Sequence, residues 1–573
     1  MIALVANGQA QGWGEFALFK VEMKAMNAMG TSCVHPDGRF RVGVHQPEYT
    51  VRNLRRQSFH ATLGQLPDGR QMDNAVNFPE GDIAVKAGHP VYEITNALPF
   101  RGCTYIDAGW AAPRAFDPAF IAIKRQAPLS LRKHLASQGL DAARAQQCIM
   151  DLPLQLRYAL AATSTDAEEL VWLAETCCTF THGDNGSPSG LLYEEYLGRV
   201  RPRISDAELF ETIANNPHLP DSYKEVMVLR PGAQGNSPIT ADAYHDGNDA
   251  GQGGAIFEYL RANSYIPGGH YAANFAHTSR RYSIEELSLA DMRGLRHLYY
   301  QRIYTMLAGQ FGLPLPEQGR ALEHDELERL RLAVLAASLA SEDGPHPAPS
   351  HQATLWGWNF GYDFSPTGYR LHASHQMIHQ QYALVPETVQ SSAGDTMTAF
   401  ACGDLVADWA ARYQDYHHSD FFSDYLRCLT HNTRTDGTQG ESSLVVWSDA
   451  NVLLFVPKAQ VSQWELNLMV TTDAPQGPVG NIVEANASVR ASIDQAMLIA
   501  QQVLAKLGAR MVTSIEYSKR LGVQNGQRLV YAFLPKLPWA MGGFTEAQAR
   551  YVCGHYPEDF AAACRLQLEE TGV

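Results

Sequence analysis

The sequence is short of cysteine. Nine thiols are spread over 573 residues, and no two are spaced as Cys-x-x-Cys. Cys177 and Cys178 are adjacent instead. A disulfide framework and a cysteine-rich zinc site are therefore excluded as organising features, and a reducing compartment fits. Long apolar runs are missing as well. No stretch approaches the ~18 consecutive apolar residues of a membrane span. Residues 1–8 have neither a basic start nor a long apolar core, so no export signal and a cytoplasmic location are expected. Positive charge is in deficit: 45 Lys and Arg face 60 Asp and Glu, for a net charge of -15. That argues against a nucleic-acid partner and leaves room only for a local basic pocket. Several familiar signatures are absent too. There is no GxSxG elbow and no GxGxxG fingerprint, and the glycine-rich residues 247–254 are not followed by the Lys-Ser/Thr of a Walker A loop.

What is present is apolar material for large cores. Hydrophobic residues make up 45% and aromatics 10% of the chain, enough for roughly three or four domains at ~150 residues each. Residues 1–125 are rich in turn sequences such as His35-Pro36-Asp37-Gly38 and read as a β-rich region. Residues 126–219 read as a helical segment, with helices expected over 129–138, 142–162, 166–177 and 205–214. Residues 225–229 and 270–277 read as short strands. A long helix follows over 288–312, opened by the capping pair Ser288 and Asp291 and stopped by Gly312. Another helix over 323–339 precedes strands at 353–360 and 377–384. The last part, 440–573, repeats the theme. Strands at 444–447, 452–456 and 465–471 precede a long helix over 486–507 ended by Gly508, and strands at 511–517 and 528–534 follow. Two successive units, 220–430 and 440–573, thus share one order of elements. The expected class is α+β, with an antiparallel sheet and one long helix in each unit, preceded by the extra N-terminal region.

The most informative stretch is residues 373–386, Ala-Ser-His-Gln-Met-Ile-His-Gln-Gln-Tyr-Ala-Leu-Val-Pro. It sets His375, Met377, His379 and Gln381 at every second position. In a strand these four share one face. An imidazole held on a strand serves as nucleophile, base or metal ligand.

This stretch resembles the galactose-1-phosphate uridylyltransferase and dinucleoside tetraphosphate phosphorylase branch of the histidine-triad superfamily. That branch carries a Ser, a short polar stretch and then His-x-His-x-Gln running into a strand. Ser374, His379 and Gln381 match it, and residues 382–386 match the continuing strand. Residues 451–457 and 528–536 are similar to the family's second half. The resemblance spans roughly 220–573. The sequence departs from it in three places. Met377 stands where the first His belongs, Val530 and Ala532 stand where the second half has metal-binding histidines, and the paired N-terminal cysteines are missing.

The resemblance implies a nucleotidyltransferase or phosphorylase acting on a nucleotide sugar or related nucleotide, through a covalent nucleotidyl-histidine. His379 is then the nucleophile, and Gln381 donates its amide to a phosphoryl oxygen. His375 supports the geometry, or is itself the nucleophile if the register shifts by four. Ser374 holds a phosphate. Asn359 lies on the strand expected beside that of His379 and contacts the nucleotide. Arg280 and Arg281 form a phosphate clamp. Lys536, with Arg550, meets the distal phosphate or sugar, and His555 closes the pocket. No cofactor is implied. A divalent metal on His372, His375 and His379 is the weaker alternative, because no carboxylate ligand sits within the motif. The expected partner is a nucleotide or phosphorylated small molecule, with no membrane contact, and a homodimer is compatible. Two other readings stay open: a non-catalytic nucleotide- or metabolite-binding protein on the same fold, and an enzyme with altered histidine- or metal-based chemistry.

Overall fold

A computed structural model of the chain describes residues 31–51, 60–77, 81–86, 88–124, 127–216, 218–227, 284–316, 321–339, 352–361, 378–537 and 543–569. It is an α+β structure built on one large antiparallel sheet. In chain order the elements used below are β1 (Gly43–His45), β2 (Val91–Thr95), β3 (Cys103–Asp107), α1 (Leu289–Gln310), α2 (His324–Ser338), β4 (Ala353–Gly361), β5 (Ile378–Val385), α3 (Cys402–His417) and α4 (Phe421–Thr430). They continue as β6 (Val445–Ser448), β7 (Val452–Phe455), β8 (Leu466–Val470), α5 (Ala487–Lys506), β9 (Met511–Tyr517), β10 (Val530–Lys536), β11 (Arg550–Cys553) and α6 (Pro557–Glu569).

The large sheet has seven strands in the order β5-β4-β9-β10-β8-β7-β6. Strands expected in two separate units therefore form one sheet, joined where β4 pairs with β9 and Asn359 faces Thr513 across the ladder. Helices α1 and α5 cover one face. Helix α1 forms where its caps say it should: Ser288 Oγ accepts from the Asp291 amide at 3.1 Å, and the Asp291 carboxylate takes the Ser288 amide at 2.9 Å. Gly312, at φ +64°, and Gly508, at φ +106°, follow the two long helices in left-handed backbone that suits glycine. Trp356, Trp358 and Phe360 of β4 alternate onto this face and are buried beneath the helices, together with Leu468, Tyr531 and Phe533.

This apolar layer holds a buried polar cluster. Arg296 of α1 is fully buried. It donates to the Tyr300 hydroxyl at 3.1 Å and the Tyr531 hydroxyl at 2.9 Å, and lies 3.4 Å from the Asp494 carboxylate on α5. Tyr531 in turn donates to Glu516 at 2.6 Å, and Tyr299 and Thr354 donate to the same carboxylate at 2.9 and 3.0 Å. One network thus ties α1 and α5 to β4, β9 and β10. Burial pushes the Asp494 carboxyl up to about 6 against the pull of Arg296.

The opposite face is covered near its centre by α3 and α4, which pack with a second, four-stranded sheet in one core. That sheet runs β1-β2-β3-β11. Its last strand comes from near the C-terminus and pairs parallel with β3. The helical segment forms its own core around Leu170, Leu173, Phe210 and Ile213.

Several expectations are corrected. Residues 225–227 lie in a helix, Asp221–Met227, rather than a strand. The single helix expected over 142–162 is two, Ala142–Met150 and Leu154–Thr163. Pro153 separates them, since a proline removes a helical donor and its ring clashes with the preceding turn. Two hairpins between 180 and 202, and the helices α3 and α4, were not legible in the sequence. Residues 270–277 and the glycine-rich 247–254 lie outside the described residues.

Removing one member of a buried ionic cluster leaves its partners uncompensated. Arg296→Met should lower stability by about 3–5 kcal/mol, measured as a shift in the urea midpoint. A loss below about 1 kcal/mol, the median of a surface ion pair, would contradict the central role given to this side chain.

Candidate functional site

The site is built from one strand at the edge of the large sheet. Edge strand β5 pairs with β4 over its whole length, with His379 opposite Asn359 and Gln381 opposite Gly357. The pairing expected between the strands of Asn359 and His379 is present. Which residues face which way follows from the pleat. Gln380 accepts from Trp356 Nε1 at 3.1 Å, and the Tyr382 ring lies 5.8 Å from that of Tyr299. Both belong to the helix-covered face. Positions 379, 381 and 383 therefore belong to the other face, where Gln381 and Ala383 are exposed.

On that face Asn359 and Thr513 are half-buried neighbours. The Thr513 hydroxyl donates to Asn359 Oδ1 at 2.6 Å. This leaves the Asn359 NH2 group as the outward donor. Leu534 is the partner of Thr513 on the next strand, and Lys536 is exposed two residues beyond it. Three strand spacings separate β10 from β5, so Lys536 stands roughly 14 Å from the His379 strand.

The open patch ends where α3 begins. Gly403 packs so closely on β9 that an added Cβ would lie 1.9 Å from the Ser518 carbonyl. Cys402 Sγ reaches the Glu516 carbonyl at 3.2 Å. Arg520 pairs with Asp404 at 2.7 Å and donates to the carbonyls of Val385 at 3.2 Å and Ala399 at 3.0 Å. The C-terminal end of β5 is thereby pinned to β9 and α3. Chemically, the patch offers two neutral amides, Asn359 and Gln381, beside the backbone position of an imidazole. Neutral donors of this kind hold phosphoryl oxygens without adding charge.

The strand pairing therefore brings the backbone positions of His379, Gln381 and Asn359 together, and sets Lys536 further along the same face. Ser374, His375, Arg280 and Arg281 lie outside the described residues. Among the described residues, no group of three or more His, Cys, Asp or Glu is placed to hold a metal ion. Thr513 and Arg520 were missed in the sequence. Both act across strands distant in the chain, and no local pattern marks them.

Two expectations fail. His555 precedes the last helix and lies inside the molecule, 1% exposed, with Cys553 Sγ 3.5 Å away and the Phe560 ring at 5.2 Å. It closes no pocket. Arg550 lies on β11 of the four-stranded sheet, not on the sheet that carries His379.

With this geometry in place, likeness to known proteins is limited. No family model and no curated protein matches the sequence. Solved structures that it resembles include a uridylyltransferase mutant, at TM-score 0.32 and 12% identity over 52% of this chain and 77% of that one. Another is an ADP-glucose phosphorylase from Arabidopsis thaliana with bound ADP-glucose, at 0.31 and 12% over 50% and 69%. A third is a galt-like protein from Arabidopsis thaliana, at 0.32 and 12% over 51% and 73%. TM-scores this low decide neither fold nor chemistry. Among the described residues, no helix is long and apolar enough to cross a membrane.

His555 makes a pH-dependent contribution to stability. An unfolded histidine titrates near 6.5; burial, and then the nearby charge of Arg114, push His555 down to about 3. Between these values the unfolded chain binds the extra proton, so stability falls as pH drops through 6.5 towards 3. His555→Gln removes that proton uptake. Relative to wild type, the variant should gain about 2 kcal/mol on going from pH 7.5 to pH 5, read from urea midpoints at both pH values. An unchanged difference between the two proteins would contradict this assignment.

Proposed function

We propose that the exposed end of β5 is a nucleotidyl-transfer site acting on a nucleotide sugar or related nucleotide. A neutral imidazole nitrogen of His379 attacks the α-phosphorus. An N–P bond forms, the P–O bond to the leaving group breaks, and that group departs with its electron pair. A second phosphate, or water, then attacks the nucleotidyl-histidine and releases the ring. Splitting the displacement in this way replaces one difficult step with two easier ones. Asn359 and Gln381 donate to the phosphoryl oxygens, and Lys536 meets the far end of the substrate. Ser374, His375, Arg280 and Arg281 keep their proposed phosphate-binding and supporting roles.

One observation carries this reading. The Ser374-to-Gln381 motif leads into a strand on which His379 stands directly opposite Asn359, and Thr513 orients that asparagine. The strand pairing, which sets the backbone of residue 379 opposite that of residue 359 before substrate arrives, supports this reading. Met377, in place of a first histidine, removes a hydrogen-bonding imidazole from the motif. His375, two positions before Met377 in the sequence, is the residue proposed to substitute for it.

Incubation with a nucleoside triphosphate or sugar nucleotide labelled at the α-phosphate should leave an acid-labile label on the protein. His379→Ala should abolish the label. Binding without an adduct would replace the transferase reading with that of a nucleotide-binding protein. Thr513→Val frees the Asn359 amide to rotate. It should slow labelling about tenfold, the equivalent of about 1.4 kcal/mol, and Thr513→Ser should restore it. Equal labelling rates in wild type and Thr513→Val would remove Asn359 from the site.

A further inference from the structure

Arg550 does not reach the large sheet, yet its own surroundings are organised. The outward face of the four-stranded sheet forms an open cleft of about 720 Å³, walled by Gln46 and Pro47. Four polar side chains from four strands line it: His45 of β1, Glu93 of β2, Tyr105 of β3 and Arg550 of β11. The ladder brings them together, since Gly43 and Tyr105 both face Glu93 and Arg550 faces Cys103.

The hydrogen bonds have one direction. Tyr105 donates its hydroxyl proton to Glu93 Oε1 at 2.7 Å and accepts from Arg550 Nη1. His45 Nε2 meets Glu93 Oε2 at 2.5 Å. Both oxygens of the carboxylate thus have a partner. The guanidinium does not use its donors to the same extent. It has five N–H groups, one engaged by Tyr105, and its nearest carboxylate contact is 3.9 Å from Glu93. Glu93 accepts from His45 Nε2, so Nδ1 of the neutral ring carries a lone pair and is no donor to an anion. The cleft therefore holds a carboxylate whose two oxygens are both engaged, flanked by guanidinium donors that are still open, in a chain whose net charge is -15.

We propose that this cleft is a second ligand site, for a small oxyanion: a phosphate or carboxylate group presented to Arg550. The Arg550 fork takes two oxygens, which is the geometry guanidinium groups favour. Tyr105 holds the fork in place from behind, through its hydroxyl and through its ring, whose centre lies 5.4 Å from the guanidinium carbon. Glu93 keeps His45 and Tyr105 in position and weakens the site by its charge. No part of this depends on His379.

Inorganic phosphate is the probe, titrated into the full-length protein at constant ionic strength and followed by calorimetry. Acetate and chloride are run beside it. Binding is assigned to this cleft by its response to the Arg550 and Glu93 variants, to which phosphate held at the β5 site does not respond. Saturable phosphate binding is expected, and Arg550→Gln should weaken it at least about tenfold. Glu93→Gln should tighten it about threefold, because it removes a like charge and keeps hydrogen-bonding capacity. Saturable acetate binding with the same response to the variants would identify a carboxylate as an equal ligand. Circular dichroism confirms that each variant is folded. A linear, non-saturating titration, equal binding of chloride, or affinities unchanged in both Arg550→Gln and Glu93→Gln would overturn the proposal.

Discussion

A guanidinium sealed from water holds the large sheet to its helices. Arg296 is 0% exposed, and burying an unpartnered charge costs several kcal/mol. Burial works against its charged form, but the tyrosines and the Asp494 and Glu516 carboxylates around it outweigh that and keep its pKa above the ordinary value. The Trp356 and Tyr300 rings lie 4.8 Å from its guanidinium carbon, and Tyr299 and Tyr531 only slightly further away. Nη1 has no hydrogen-bond partner, and these ring faces are what it meets instead. Three strands and two helices must be assembled before this group is satisfied. The cluster therefore selects one register between α1, α5 and the strands β4, β9 and β10.

The same device recurs where the terminal helix meets the loop before β6. Lys458, 2% exposed, pairs with the fully buried Glu558 of α6 at 2.5 Å and donates to Asn432 and the Thr433 carbonyl. Arg434 pairs with Asp559 of the same helix at 2.8 Å. Near the N-terminal sheet, Arg101 pairs with the buried Glu465 at 2.6 Å. In each case residues far apart in the chain complete each other's charge. The face of the sheet that these contacts and α3 leave open is the end carrying β5, which is where the candidate site lies.

Much of the secondary structure was legible because its signals are local. The Ser288 and Asp291 caps, Gly312 and Gly508 bounded the long helices correctly, and alternating apolar runs located the strands of the C-terminal half. Helices α3 and α4 escaped notice because residues 402–430 mix charged and aromatic residues, and their buried face is defined only by the sheet beneath them. His555 was misread for a related reason. A histidine in a Gly-His-Tyr-Pro turn resembles a surface residue until the neighbouring Cys553 and Phe560 are seen to enclose it.

The sequence by itself determined the alternation that puts positions 379 and 381 on one side of a strand, and the helix boundaries set by caps and glycines. These depend on neighbours a few residues apart. Only the tertiary structure decided that Asn359 stands opposite His379, that Thr513 holds Asn359, and that Arg550 belongs with His45 and Glu93 on a different sheet. Strand order and register arise from burying one face and satisfying charges over hundreds of residues, and no short-range pattern encodes that choice.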